Sequence, residues 1–97
     1  MPVLLLESNT IDRQSKSWES FAEKLTKTAL KKCGWNINQI EEIDFESDPL
    51  RRIFIKVESR PVIIRTWNIY ESKSGKSVCC NYSVYEMDET EEIIENN

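Results

Sequence analysis

Histidine is absent from this sequence of 97 residues. Its absence removes the side chain that most often acts as a general base near neutral pH and the imidazole ligand that many metal sites use. Glycine and proline are scarce, at 2 and 3 residues, and 39% of the residues are hydrophobic. This composition excludes collagen-like and low-complexity chains. We therefore expect a folded protein that is not an enzyme, with no catalytic residues, no metal and no cofactor.

Long apolar runs are also missing. The longest run is Val3–Leu6, whereas a bilayer-spanning helix needs about 20 apolar residues and a secretory signal needs a longer apolar core next to basic residues. The cysteine count is odd, at 3, and Cys79 and Cys80 are neighbours that would point to opposite faces of a strand. A complete disulfide framework is therefore excluded. We expect a soluble, cytoplasmic protein without membrane contact.

Acidic residues are concentrated at the end of the chain. The net charge is −4, and Met87–Asn97 contains five acids and no base, so residues 1–86 carry +1. We predict a single α+β domain over residues 1–86 and an acidic C-terminal tail over residues 87–97. Two interpretations of the tail stay open. It is either a solvated terminus or a mimic of nucleic acid that blocks a basic groove on a partner.

The clearest predicted element is an amphipathic helix over Ser17–Cys33. Ser17 can cap its N-terminus, and Gly34 can adopt the left-handed conformation that ends a helix. Its apolar residues recur with the spacing of one helical face. They are Trp18, Phe21, Ala22, Leu25, Ala29 and Cys33.

After Gly34 the apolar period changes to two, which is typical of strands. Four β-rich segments are separated by short polar turns, and short connections favour an antiparallel meander. We predict a two-layer α+β fold, with one amphipathic helix packed on a four-stranded antiparallel β-meander. Met1–Leu6 is a candidate extra N-terminal strand, Glu7–Lys16 is predicted to be a loop, and Trp35–Gln39 fits either a strand or a helical turn.

The positions of the predicted turns assign a register to each strand pair. The turn Ser47–Leu50 places Phe45 opposite Ile53, Glu46 opposite Arg52 and Glu42 opposite Lys56. A turn at Ser59 and Arg60 places Ile55 near Ile64. The last hairpin places Tyr70 opposite Val78, Thr66 opposite Tyr82 and Ile64 opposite Val84. The parity agrees across the strands and gives one apolar face for the helix to cover. That inner face holds Ile43, Phe45, Ile53, Ile55, Val57, Val62, Ile64, Cys80, Tyr82 and Val84.

The opposite, outer face carries more large apolar residues than is usual for a face exposed to water. They are Phe54, Ile63, Trp67, Ile69 and Tyr85. Three explanations compete. Val3–Leu6 or Ile93–Ile94 folds over the face, a protein partner or a second copy binds there, or single-stranded nucleic acid stacks on it. In the last case Phe54 and Trp67 would stack on nucleobases, while the basic side chains of Arg52, Lys56 and Arg65 would hold phosphates.

We predict a small non-enzymatic protein-binding module, such as a stoichiometric inhibitor, an immunity-type protein or an adaptor. Its partner would be another protein or a second copy of the chain. A single-stranded RNA- or DNA-binding protein is the alternative. It is the less favoured function, because acids on the neighbouring strand would repel a phosphate backbone. The predicted partner-binding residues are Phe54, Trp67, Ile69, Tyr85, Ile63, Arg52, Arg65 and Lys56.

Overall fold

The computed structural model describes residues 3–13, 17–47, 50–72 and 77–87. One helix packs on a five-stranded antiparallel sheet with the strand order β1-β5-β4-β3-β2. The predicted two-layer α+β fold is therefore confirmed, including the extra N-terminal strand. The elements are β1 (Val3–Asp12), α1 (Trp18–Lys32), a 3₁₀ turn (Ile37–Gln39), β2 (Ile40–Phe45), β3 (Ile53–Val57), β4 (Arg60–Glu71) and β5 (Val78–Glu86).

Helix α1 begins and ends where the sequence predicts. The hydroxyl oxygen of Ser17 accepts a hydrogen bond from the Ser20 backbone N–H at 3.3 Å, and Gly34 follows the helix with a φ of 80°. That φ lies in the left-handed region, which glycine adopts without steric cost. The buried residues of α1 are Phe21, Ala22, Leu25, Thr26, Ala29 and Leu30.

Strand β1 corrects the prediction for the N-terminal segment. The strand continues to Asp12 and pairs with β5, so the loop predicted over Glu7–Lys16 is wrong as far as Asp12, and residues 14–16 lie outside the described residues. Pairing with β5 uses backbone groups, which polar residues supply as well as apolar ones. Because Val3–Leu6 extends the sheet at its edge, this segment does not cover the outer face. Ile93–Ile94 and the rest of the acidic tail after Met87 lie outside the described residues.

The two hairpins around β3 differ in how well the sequence predicted them. Phe45 pairs with Ile53 as predicted, but Ile55 pairs with Val62 rather than Ile64. The turn consists of Glu58 and Ser59, with φ values of 51° and 63°, as in a two-residue type I′ turn. The predicted register was wrong by two residues. A shift of two preserves the face of every side chain, so the inner and outer faces are unchanged.

A β-bulge in β4 changes the end of the outer face. Thr66 pairs with Tyr82 as predicted, but the register shifts after Trp67, and Tyr70 pairs with Cys79 instead of Val78. Asn68 has a φ of 53° at this point. An extra residue reverses the alternation of the strand beyond it. Ile69 therefore packs against the core, and the prediction that it contributes to the outer face is wrong.

The core lies between α1 and the inner face of the sheet. Ile43 lies on the inner face but on edge strand β2, where it is 41% exposed. Tyr82 is fully enclosed, and among the described residues its hydroxyl group has no hydrogen-bond partner. The buried core residues that the sheet contributes are Ile53, Ile55, Val57, Val62, Ile64, Val78, Cys80, Tyr82 and Val84.

Candidate functional site

The outer face has a central row of side chains that crosses all five strands. The strand pairing places Leu4, Tyr85, Ile63, Phe54 and Asp44 side by side in this order. Ile63 lies in the middle of the row and is 1% exposed. It is therefore enclosed and cannot be a primary contact for a partner, which corrects the prediction for this residue.

Two arginines cover the aromatic rings on either side of Ile63. The guanidinium carbon of Arg52 lies 5.2 Å from the centroid of the Phe54 ring, and that of Arg65 lies 5.5 Å from the centroid of the Tyr85 ring. These distances are typical of cation–π contacts. Phe54 and Tyr85 are half-buried, so they support the face rather than project from it.

Arg52 also forms an ion pair within the outer layer. Its Nε and Nη2 atoms donate to the two carboxylate oxygens of Glu46, the second at 3.0 Å. The side-chain hydrogen bond from Arg52 lowers the pKa of Glu46, and the guanidinium charge lowers it further. This two-point geometry is the stronger form of the carboxylate–guanidinium contact. The predicted pairing of Glu46 with Arg52 is confirmed, and it commits this arginine to an internal partner.

Two aromatic side chains of the face are exposed at the end of β4. Trp67 is 37% exposed and Tyr70 is 63% exposed. They lie opposite Asn81 and Cys79 of β5, respectively, and the Cys79 thiol beside it raises the pKa of Tyr70. We call the group of Trp67, Tyr70, Cys79 and Asn81 the aromatic end.

Sequence reasoning missed Tyr70, because strict alternation placed it on the inner face. A signal for the bulge was present in Asn68, which precedes Ile69 and Tyr70. Asparagine is enriched several-fold at positive φ. An asparagine inside an otherwise β-branched and aromatic strand is therefore a candidate bulge position. A bulge predicted at Asn68 would have placed Tyr70 on the outer face.

The remaining charges of the face are arranged by strand. Lys56 is exposed and lies opposite Glu42 on β2, as predicted. Asp44 lies next to Phe54. Acids therefore line the β2 side of the face, while the aromatic end lies on β4 and β5, away from them. Arg65 is the predicted basic residue nearest to the aromatic end, two residues before Trp67.

Across the described residues, no group of three or more cysteine, aspartate or glutamate side chains is placed to hold a metal ion. None of the helices in the described part of the chain is both long and apolar enough to span a membrane. Comparisons with protein-family models, curated proteins and solved structures find no match to this chain.

Proposed function

We propose that the protein binds a protein partner through the outer face of its sheet, with the aromatic end as the centre of contact. The observation that carries this proposal is the exposure of Trp67 and Tyr70, at 37% and 63%. They are exposed aromatic side chains on a face whose other two rings, Phe54 and Tyr85, are half-buried. Tryptophan and tyrosine are enriched among the residues that dominate binding energy at protein interfaces. The role would be stoichiometric and non-enzymatic, as in an inhibitor, an immunity-type protein or an adaptor.

The residues of the face would divide the work of binding. Trp67 and Tyr70 would insert into the partner as anchors, because their rings combine a large apolar area with a polar tip. Arg65, which is exposed, would contribute to the charged rim. Phe54 and Tyr85 would hold the platform flat under their arginines, and they would make smaller contacts themselves.

The alternative proposal, binding of single-stranded nucleic acid, has weaker support. A stacking platform needs basic side chains that reach phosphates. On this face Arg52 is paired with Glu46, and Lys56 lies opposite Glu42. The acids of β2 would also repel a backbone. The two proposals differ in salt dependence, since affinity for nucleic acid falls steeply as salt concentration rises.

A cytoplasmic location is part of the proposal. Cys33, Cys79 and Cys80 are all free thiols. Unpaired thiols are typical of reducing compartments.

The first experiment identifies the partner by position-specific cross-linking. A photoreactive amino acid replaces Tyr70 at the aromatic end or, as the matched control, Lys24 on the exposed surface of α1. In extract of the producing cells, we expect a discrete adduct with one protein from position 70 and none from position 24. Adducts with RNA or DNA from position 70 would support the alternative. The same adducts from both positions would contradict both proposals.

The second experiment measures binding of the cross-linked protein after purification. The double variant Trp67→Ala/Tyr70→Ala removes both anchors. The control Ile43→Ala removes an apolar residue of similar exposure, 41%, from the inner face at β2. We expect the double variant to lose binding and the control to bind like the parent chain. Circular dichroism of all three chains checks that the fold is unchanged.

A further inference from the structure

The two edges of the sheet differ in how they are protected from pairing with another strand. Edge strand β2 is six residues long and carries acids at Glu41, Glu42 and Asp44. Just beyond its end, the indole N–H of Trp18 donates to the backbone oxygen of Glu46 at 2.9 Å. Short length and charged side chains are the usual means by which edge strands avoid further pairing.

Edge strand β1 is less protected. It is ten residues long and contains no lysine, arginine or proline. Val3, Leu4 and Ile11 are 59%, 50% and 62% exposed. Of its two acids, Asp12 accepts a hydrogen bond from Lys24 of α1 at 3.1 Å, which leaves Glu7. A long apolar edge strand is a template for strand addition.

We propose that β1 pairs with β1 of a second copy of this chain, antiparallel across a two-fold axis, with Ser8 facing Ser8 at the centre. The proposal concerns the edge of the sheet and is independent of the function proposed for its outer face. The resulting dimer would contain one continuous ten-stranded sheet. Both aromatic ends would then lie on the same side of it.

The register follows from the alternation of the strand. Directly opposed residues in an antiparallel pair lie on the same face, so the axis passes through a residue rather than between two. Three centres overlap most of the strand. With the two-fold axis at Glu7, the Glu7 carboxylates of the two copies would face each other. With the axis at Asn9, Glu7 of one copy would face Ile11 of the other. With the axis at Ser8, Glu7 of one copy faces Asn9 of the other, which avoids both conflicts.

The bulge at the start of β1 makes the Ser8-centred pairing self-complementary. Leu4 and Leu6 pair with the consecutive residues Tyr85 and Val84 of β5, so Leu5 is the extra residue. Leu4 therefore occupies the step directly next to Leu6. With Ser8 at the axis, Leu4 of each copy lies opposite Ile11 of the other. Both residues lie on the outer face, and both are among the most exposed apolar residues in the described part of the chain.

Sedimentation velocity over a range of micromolar concentrations tests the dimer with paired charge variants. We expect the parent chain to show a concentration-dependent dimer. In the variant Leu4→Lys/Ile11→Lys, a lysine of one copy would face a lysine of the other at two places in the dimer, so this variant should be monomeric. Leu4→Lys/Ile11→Glu opposes a lysine and a glutamate and should restore the dimer. A monomeric parent chain, or a double-lysine variant that still dimerises, would overturn the proposal.

Cross-linking tests the register. In a Cys33→Ser/Cys79→Ser background, with Cys80 buried, Ser8→Cys should form a disulfide-linked dimer on mild oxidation, because directly opposed Cβ atoms lie about 5 Å apart. Thr10→Cys, two residues from the axis, is the control and should form far less. Equal linkage at both positions would overturn the Ser8 centre. Trp67→Ala/Tyr70→Ala should dimerise like the parent chain, which separates this proposal from partner binding.

Discussion

The two faces of the sheet use the same alternating pattern of residues for different purposes. On the inner face, Ile64 and Tyr82 are fully enclosed beneath α1. On the outer face, Trp67 and Tyr70 retain much of their exposure, and Ile63 is enclosed at the centre. Because the described part of the chain supplies one long helix and two apolar faces, exposure separates the residues that stabilise the fold from those available to a partner.

The largest difference between the faces should appear in stability. Ile64→Ala removes a fully enclosed side chain and should lower the free energy of unfolding by about 2–5 kcal/mol. Trp67→Ala removes a partly exposed side chain and should cost less than about 1 kcal/mol. Urea unfolding followed by circular dichroism measures both values. Equal losses would show that Trp67 belongs to the core, and the two-face comparison would fail.

Ile63 tests whether the centre of the outer face is part of the folding core. Although it lies on the outer face, it is 1% exposed. Ile63→Ala should therefore cost about 2 kcal/mol or more. Ile43→Ala, on the inner face but 41% exposed, should cost less. The same urea experiment compares the two variants. The reverse order would mean that the face on which a residue lies, rather than its exposure, determines its contribution to stability.

Adjacent cysteines report on the two faces directly. Cys80 is fully buried on the inner face, and burial together with the neighbouring Cys79 raises its pKa to about 12. Cys79 is half-buried on the outer face, beside Tyr70. Because the thiolate is the reactive form, a maleimide near neutral pH should label Cys79 first and Cys80 only after unfolding. Peptide mass spectrometry measures the order, and early labelling of Cys80 would contradict the burial of the inner face.

The smallest expected effect concerns the Glu46–Arg52 ion pair. The pKa of Glu46 is lower in the folded chain than its ordinary value of 4.5, mainly because Arg52 donates a hydrogen bond to it. Its contribution to stability is therefore present above that ordinary value and is lost as the pH falls through the lowered pKa. Glu46→Gln should destabilise the protein slightly at neutral pH. The difference from the parent chain should vanish in acid, and a difference that grows in acid would contradict the assigned sign.

The elements with a strong local signal could be predicted from the sequence. The helix has an apolar stripe, a capping serine and a terminal glycine, and these features fixed its bounds within about one residue. Ser47–Leu50 separates two alternating segments, and its register was confirmed. Strand β1 was recognised in its apolar part and missed where it becomes polar, because pairing at an edge depends on backbone groups rather than on side-chain pattern.

The candidate site was less predictable because a single residue changes its composition. The bulge near Asn68 moved Ile69 to the core and Tyr70 to the outer face. Periodicity assumes an uninterrupted strand, so it cannot locate such a bulge. The burial of Ile63 was missed for another reason. It depends on long neighbours in the same row, such as Phe54 and Tyr85, and packing of this kind follows from register rather than from local sequence.

The most direct test of the central claim is the affinity of the cross-linked partner for the parent chain and two variants, measured by calorimetry. If the aromatic end supplies the main anchors, Trp67→Ala/Tyr70→Ala should weaken binding by at least about 100-fold, as expected for two dominant contacts. Ile43→Ala should leave it unchanged. A double variant that keeps its fold and binds within about threefold of the parent chain would contradict the assignment of this surface.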